Sequence, residues 1–191
     1  GVRPPRRQQR PLHRRGRSGK DILLDEGVGR MHLKGEHRGR KLKVVCKPCN
    51  EGWMSRLQVR TKPILARRLA GETSPLLSNQ REALAAWAAM FTAVVEFADP
   101  RTAGISSFHR EFLRDGSEVP PDWLIWLGSF EGSELTETVW HRSFRLEDGT
   151  EGMEFNAQVT AFGVGRCFFL TFCTADSALF RSSSPSVAKF I

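Results

Sequence analysis

No apolar run in this 191-residue chain approaches the roughly 18 residues of a membrane-spanning helix, so a soluble protein without a membrane partner is expected. Cysteine is scarce. Four in 191 residues do not make a disulfide framework, and the N-terminus lacks the apolar core of a secretory signal, so a reducing cytoplasm is the expected compartment. No internal repeat recurs, and acidic charge is thin in the first part of the chain. Residues 1–70 hold 20 Lys and Arg against 5 Asp and Glu, a net of +15, while the remainder holds 9 against 16, a net of −7, which together give the chain its +8. The basic half therefore points to a polyanionic partner, nucleic acid first. A solvated basic arm is the plainer reading for residues 1–20.

What the chain has in quantity is apolar and aromatic material. A hydrophobic fraction of 40% with 13 Phe and 5 Trp excludes global disorder and is enough for one substantial core or two small ones. Read in order, residues 1–30 form a basic flexible arm, because their Pro and Arg content cannot sustain a helix. The chain opens on Gly1, so the start of its reading frame is expected to be missing or replaced by a tag scar. Met31–Leu33 and Arg40–Val45, separated by a turn flanked by Gly35 and Gly39, predict a β-hairpin that delivers Cys46 at the end of its second strand. Asn50 is the expected cap of a following helix that turns Trp53, Leu57, Ile64, Leu65 and Leu69 to a core. Pro63 marks a fresh helical start and Gly71 the end, which closes a unit over residues 31–72.

Residues 73–182 are expected to hold a helix and an antiparallel sheet, with 183–191 as a tail. Asn79 with Glu82 resembles a capping box, and Leu84, Trp87, Met90, Phe91, Val94 and Val95 recur at helical spacing until Asp99-Pro100. Alanines on the same segment predict a central, mostly buried helix. Beyond it the period becomes two. Trp123 to Phe130 predicts a buried strand, Val139 to Leu146 a second, and Met153 to Ala161 a half-buried third with Glu154, Asn156, Gln158 and Thr160 on its polar side. Gly163-Val164-Gly165 turns the chain into a last strand from Cys167 to Cys173. The fold class that follows is α+β: a small ββα-type zinc knuckle, central helices and a C-terminal antiparallel sheet.

The chemistry centres on Cys46-x-x-Cys49. Two thiolates at this spacing can face one metal ion, and a structural zinc takes four ligands, so the pair is half of a site. A redox dithiol of the thioredoxin kind fits less well, because that motif opens a helix in an alternating β/α pattern that this chain lacks. Cys167 and Cys173 lie on one face of a strand and are too far apart to share a metal, which makes them core residues. Trp53 is read as packing beneath the knuckle rather than stacking on a base. Arg56, Arg60, Arg67 and Arg68 line either a phosphate-binding surface or a solvated helix face.

The run Val45-Cys-Lys-Pro-Cys-Asn-Glu-Gly-Trp-Met-Ser-Arg-Leu-Gln58, with Lys62-Pro-Ile-Leu65, Gly71 and Ala85-Ala-Trp87 behind it, resembles the bacterial HNH-endonuclease-like family. The resemblance covers about Lys41 to Phe130 and implies a ββα-metal unit that hydrolyses nucleic-acid phosphodiesters, DNA ahead of RNA, with a His base and a divalent cation such as Mg²⁺. It implies Cys46 and Cys49 as ligands of a structural Zn²⁺, and Asn50 at the place where that group often carries its last catalytic His. Arg40, Lys41, Lys43, Lys47, Arg56 and Arg60 are the nucleic-acid-binding candidates. The chain departs from the family pattern upstream, where a second C-x-x-C and a Glu-His-Val-x-Pro segment are both missing. His32, on the first strand of the hairpin, is the best-placed substitute base, ahead of His37 in the turn, and the chain reads as a truncated or degenerate member. A homodimer that brings two Cys46/Cys49 pairs together would complete a four-thiolate site. The alternatives are a non-catalytic nucleic-acid-binding module and a protein-interaction domain on the acidic sheet.

Overall fold

A computed structural model describes residues 44–98, 103–129, 139–144 and 155–174. The basic arm, the hairpin as far as residue 43 and the C-terminal tail lie outside the described residues. The fold is α+β, with helices α1 (Lys47–Cys49), α2 (Ser55–Leu69), α3 (Ser78–Val95) and α4 (Ser107–Gly116) set against a four-stranded sheet. Strands β1 (Trp123–Ser129), β2 (Val139–Phe144), β3 (Ala157–Val164) and β4 (Cys167–Thr174) are all antiparallel, in the order β1-β4-β3-β2. Among the described residues no helix is long and apolar enough to cross a membrane.

The first helical turn starts earlier than the sequence suggests. Cys46 is extended and takes the cap position, with Pro48 in the first turn, where its missing N–H removes no hydrogen bond. Asn50 has helical φ/ψ of −63° and −46°, and its N–H donates to the Cys46 carbonyl at 3.0 Å, so it lies inside the helix and is not its cap. A π-helical stretch over Asn50–Met54, interrupted at Gly52 (φ −89°, ψ −110°), then leads into α2. Pro63 does not begin a new helix either. It sits inside α2, on the exposed side, where water can take the carbonyl that its ring leaves without a donor. Burial of Leu57, Ile64 and Leu65 holds the helix through it. Leu69, an expected core residue, is 46% exposed, and Gly71 ends the helix with φ +91°.

α3 is the central helix expected, with Ala83, Leu84, Ala86, Ala88, Ala89, Met90 and Val95 all buried. Its cap is displaced by two residues from Asn79. Leu77 occupies the cap, the Gln80 side chain accepts from the Leu77 N–H at 3.0 Å, and Ser78 donates to Glu82 at 2.9 Å. The reciprocal bond of a capping box is missing, because a leucine side chain has no acceptor. One 3-10 turn, Glu96–Ala98, finishes the helix. α4 was not foreseen; Ser106 caps it by accepting from the His109 N–H at 3.2 Å, and it buries His109 and Leu113.

Register fixes which side chains face the helices. Val139, Phe162, Phe169 and Leu127 form one row across the inner face, and His141, Thr160, Thr171 and Ile125 form the next. Val139, Phe162 and Phe169 of the first row pack with Ile64, Leu65, Leu84 and Ala88, where the Phe162 and Phe169 rings stack at 4.9 Å. Two expectations about the strands change here. β1 is an edge strand, buried only at Trp123 and 38% exposed at Leu127, because an unbroken apolar run does not say where a strand sits in its sheet. In β3 the polar side is the inner side, since Gln158 and Thr160 share a face with Phe162 and are fully buried, while Val159 and Ala161 are half-exposed on the other face.

Candidate functional site

Extended backbone at Cys46 followed by one helical turn brings Cys46 and Cys49 onto the same side, 3.3 Å apart. Both are free thiols, Cys46 exposed and Cys49 half-buried. The Cys49 backbone N–H and then its thiol donate toward Cys46 and hold the Cys46 thiol below its ordinary range. Donating that proton, together with desolvation, pushes the Cys49 thiol up. The two sulfurs line a cavity of about 290 Å³ whose walls include Val45, Trp53, Met54, Met90, Val94 and Leu113, with Arg110 and Arg114 beside them. Trp53 packs beneath the turn as expected. Its indole N–H lies close enough to Cys49 to favour the thiolate, yet it makes no formed hydrogen bond.

The basic candidates divide. Arg40, Lys41 and Lys43 lie outside the described residues, as does His32. Lys47, Arg56 and Arg60 are exposed, and positions 56, 60 and 67 fall along one face of α2 by helical spacing. Lys47 pairs with Glu51 at 3.9 Å, Arg60 reaches the Asn79 carbonyl at 3.4 Å and Arg67 pairs with Glu72 at 3.7 Å. These contacts are solvated and weak, so the side chains remain available to an anion. Arg68 instead bonds the Glu72 and Ser74 carbonyls and braces the loop after α2. Asn50, one residue past Cys49, is exposed beside the pair.

The two described histidines are structural. His109 accepts from the Trp123 indole N–H at 3.3 Å, and burial lowers its pKa. His141 is fully buried, with Nδ1 2.8 Å from the Thr160 hydroxyl and Nε2 3.4 Å from that of Ser143, and desolvation drives its pKa to about 4. Neither stands near the cysteine turn in the chain, and neither was a candidate base.

Sequence reading missed two buried polar clusters. Glu96, at 0% exposure, accepts from Arg110 through Nε and Nη2 and from the N–H groups of Gly104 and Ile105. Burial pushes its carboxyl up, while Arg110 and the two N–H groups pull it down. An acid at the end of the apolar run Val94-Val95-Glu96-Phe97 was the available signal. The second cluster lies on the inner face of the sheet, where the buried hydroxyls of Thr171 and of Thr92 on α3 find no partner among the described residues and the buried Gln158 amide has only the Cys173 thiol beside it.

As a donor set, two thiolates on one turn fit half of a tetrahedral zinc site. Among the described residues no group of three or more His, Cys, Asp or Glu could hold a metal ion. Compared with protein-family models, curated proteins and solved structures, the chain matches none of them.

Proposed function

We propose that this chain is an HNH-endonuclease-like protein that binds nucleic acid, DNA ahead of RNA, through the basic face beside Cys46 and Cys49, and that it acts in the cytoplasm. One observation carries the reading: Cys46 and Cys49 lie 3.3 Å apart on the turn that leads, through the break at Gly52, into α2, whose exposed side bears Arg56, Arg60 and Arg67. Cys46 and Cys49 would hold one half of a structural zinc, the other half coming from residues outside those described or from a second copy of the chain. At family level the activity is phosphodiester hydrolysis, for which a divalent cation supplies charge stabilisation and a more acidic water. The segment that carries the family's base is missing, and His32 is the best-placed substitute for it, with Asn50 directly after Cys49.

Fluorescence anisotropy with a labelled DNA duplex, read across a salt series, tests the binding half. Replacing Arg56, Arg60 and Arg67 by Ala should reduce the slope of log K against log salt by up to about 2.7, near 0.9 for each phosphate that is no longer neutralised. Failure to bind DNA or RNA at any salt concentration would sink the reading in favour of a protein-interaction domain. Nicking with Mg²⁺ or Mn²⁺ that disappears in His32→Ala would identify a nuclease, whereas binding without nicking would identify a non-catalytic module. Zinc analysis of the purified chain tests the metal half. About one ion per chain, or one per two chains for a homodimer, should be lost in Cys46→Ser.

A further inference from the structure

We propose that Cys46 and Cys49, when they hold no zinc, form a thiol–disulfide exchange site that acts on low-molecular-weight disulfides, an activity that does not depend on the nucleic-acid reading. Four observations converge on it. The two cysteines lie one helical turn apart and 3.3 Å from each other, on the same side of that turn, within reach of a bond of about 2 Å by side-chain rotation. Cys46 is exposed while Cys49 is half-buried behind it, which gives the pair an order of reaction. Both cysteines line one cavity of about 290 Å³, a space next to the pair in which a small disulfide can be held. The other two cysteines, buried and six positions apart on β4, have none of these properties.

The exchange balances without a further reagent. The Cys46 thiolate attacks one sulfur of the disulfide, forming a mixed disulfide and releasing one half as a thiolate. The Cys49 thiol gives its proton to water, and the resulting thiolate attacks the Cys46 sulfur, forms the Cys46–Cys49 bond and releases the other half. The protein loses two electrons and two protons, and the small disulfide becomes two thiols. A second thiol pair run in reverse regenerates the dithiol.

The test uses the full chain, freed of metal by a chelator and equilibrated with glutathione and glutathione disulfide. Acid quenching, alkylation of free thiols and mass spectrometry of the intact chain and of the tryptic peptide 44–56 give the readout, since the Lys47–Pro48 bond resists trypsin. As the disulfide fraction rises, Cys46 and Cys49 should lose alkylation together and the peptide should become lighter by two hydrogens. Cys167 and Cys173 should stay reduced and alkylate only after denaturation. Cys49→Ser should instead accumulate a glutathione adduct on Cys46, cleared at least about a hundredfold more slowly than in the parent, because resolution in the parent is intramolecular. A parent chain that stays fully reduced under excess glutathione disulfide, or that carries a persistent adduct on Cys46, overturns the proposal. Neither result bears on DNA binding, which the salt series measures separately.

Discussion

Among the described residues, two buried polar groupings are treated in opposite ways. Beneath the end of α3, Glu96 is a fully buried acid with Arg110 and the N–H groups of Gly104 and Ile105 bonded to it. On the inner face of the sheet, the Thr171 hydroxyl is just as buried and finds no partner among the described residues, and the equally buried Gln158 amide has only the Cys173 thiol beside it. The difference lies in the backbone around them. Gly104 and Ile105 precede α4 in a segment whose N–H groups are not committed to a ladder, so they are free to turn onto a carboxylate. Thr171 sits on β4 between β1 and β3, and Gln158 on β3 between β4 and β2, where the ladders on both sides consume the main-chain donors and acceptors. A buried charge is tolerated where loop backbone can reach it, and a buried hydroxyl on an inner strand has only side chains to turn to.

The comparison breaks most sharply at Glu96. Glu96→Ala strands two N–H groups without their acceptor and releases Arg110, itself a third exposed, and urea unfolding should show a loss of about 3 kcal/mol, mostly the cost of the unsatisfied buried donors. The sheet has its own titratable member, His141, neutral in the fold with a pKa of about 4 against an ordinary 6.5. The unfolded chain binds more protons between those values, so its contribution is intact above pH 6.5 and stability falls as pH drops toward 4. The shift corresponds to about 3 kcal/mol at full protonation. Urea midpoints across that window should flatten in His141→Gln, although His109, also lowered, retains a slope of the same sign and Glu96, raised, one of the opposite sign.

Smaller changes sharpen the contrast. Ser106→Ala removes the cap that starts α4 next to the Glu96-binding backbone, and thermal unfolding should register a loss of about 1 kcal/mol. Thr171→Val keeps the shape of the side chain and deletes a hydroxyl that has no partner. It should gain up to about 1 kcal/mol, the reverse of what the same change does to a satisfied hydroxyl. A clear loss of stability in Thr171→Val would mean that an internal water serves the sheet cluster, which would erase the difference between the two.

Much of this was open to a reader of residues alone. The Ala-rich run to Val95 had to be a buried helix, because its apolar positions recur at helical spacing and its small residues permit close packing. Cys46-x-x-Cys49 had to bring two sulfurs together if a turn followed. The Cys167 to Cys173 strand, with both thiols on one inner face, also emerged as read. The misreadings share a cause. Asn50, Pro63 and Asn79 carry local preferences worth about a kilocalorie, or a few for Pro63, and the packing of Leu57, Ile64 and Leu84 outweighs them. The alternation in β3 was real but its sense was inverted, because period two says that two faces differ and not which of them the helices will cover.

Alone, the sequence determined the type of α2, α3 and the four strands, though not α4, together with the charge asymmetry and the spacing of the thiols, since those depend on residues a few positions apart. Tertiary structure decided which face of the sheet is inner, that β1 is an edge, and that Glu96 and Arg110, fourteen residues apart, meet. These depend on contacts between segments remote in the chain, whose energy comes from burying surface that no local pattern identifies in advance.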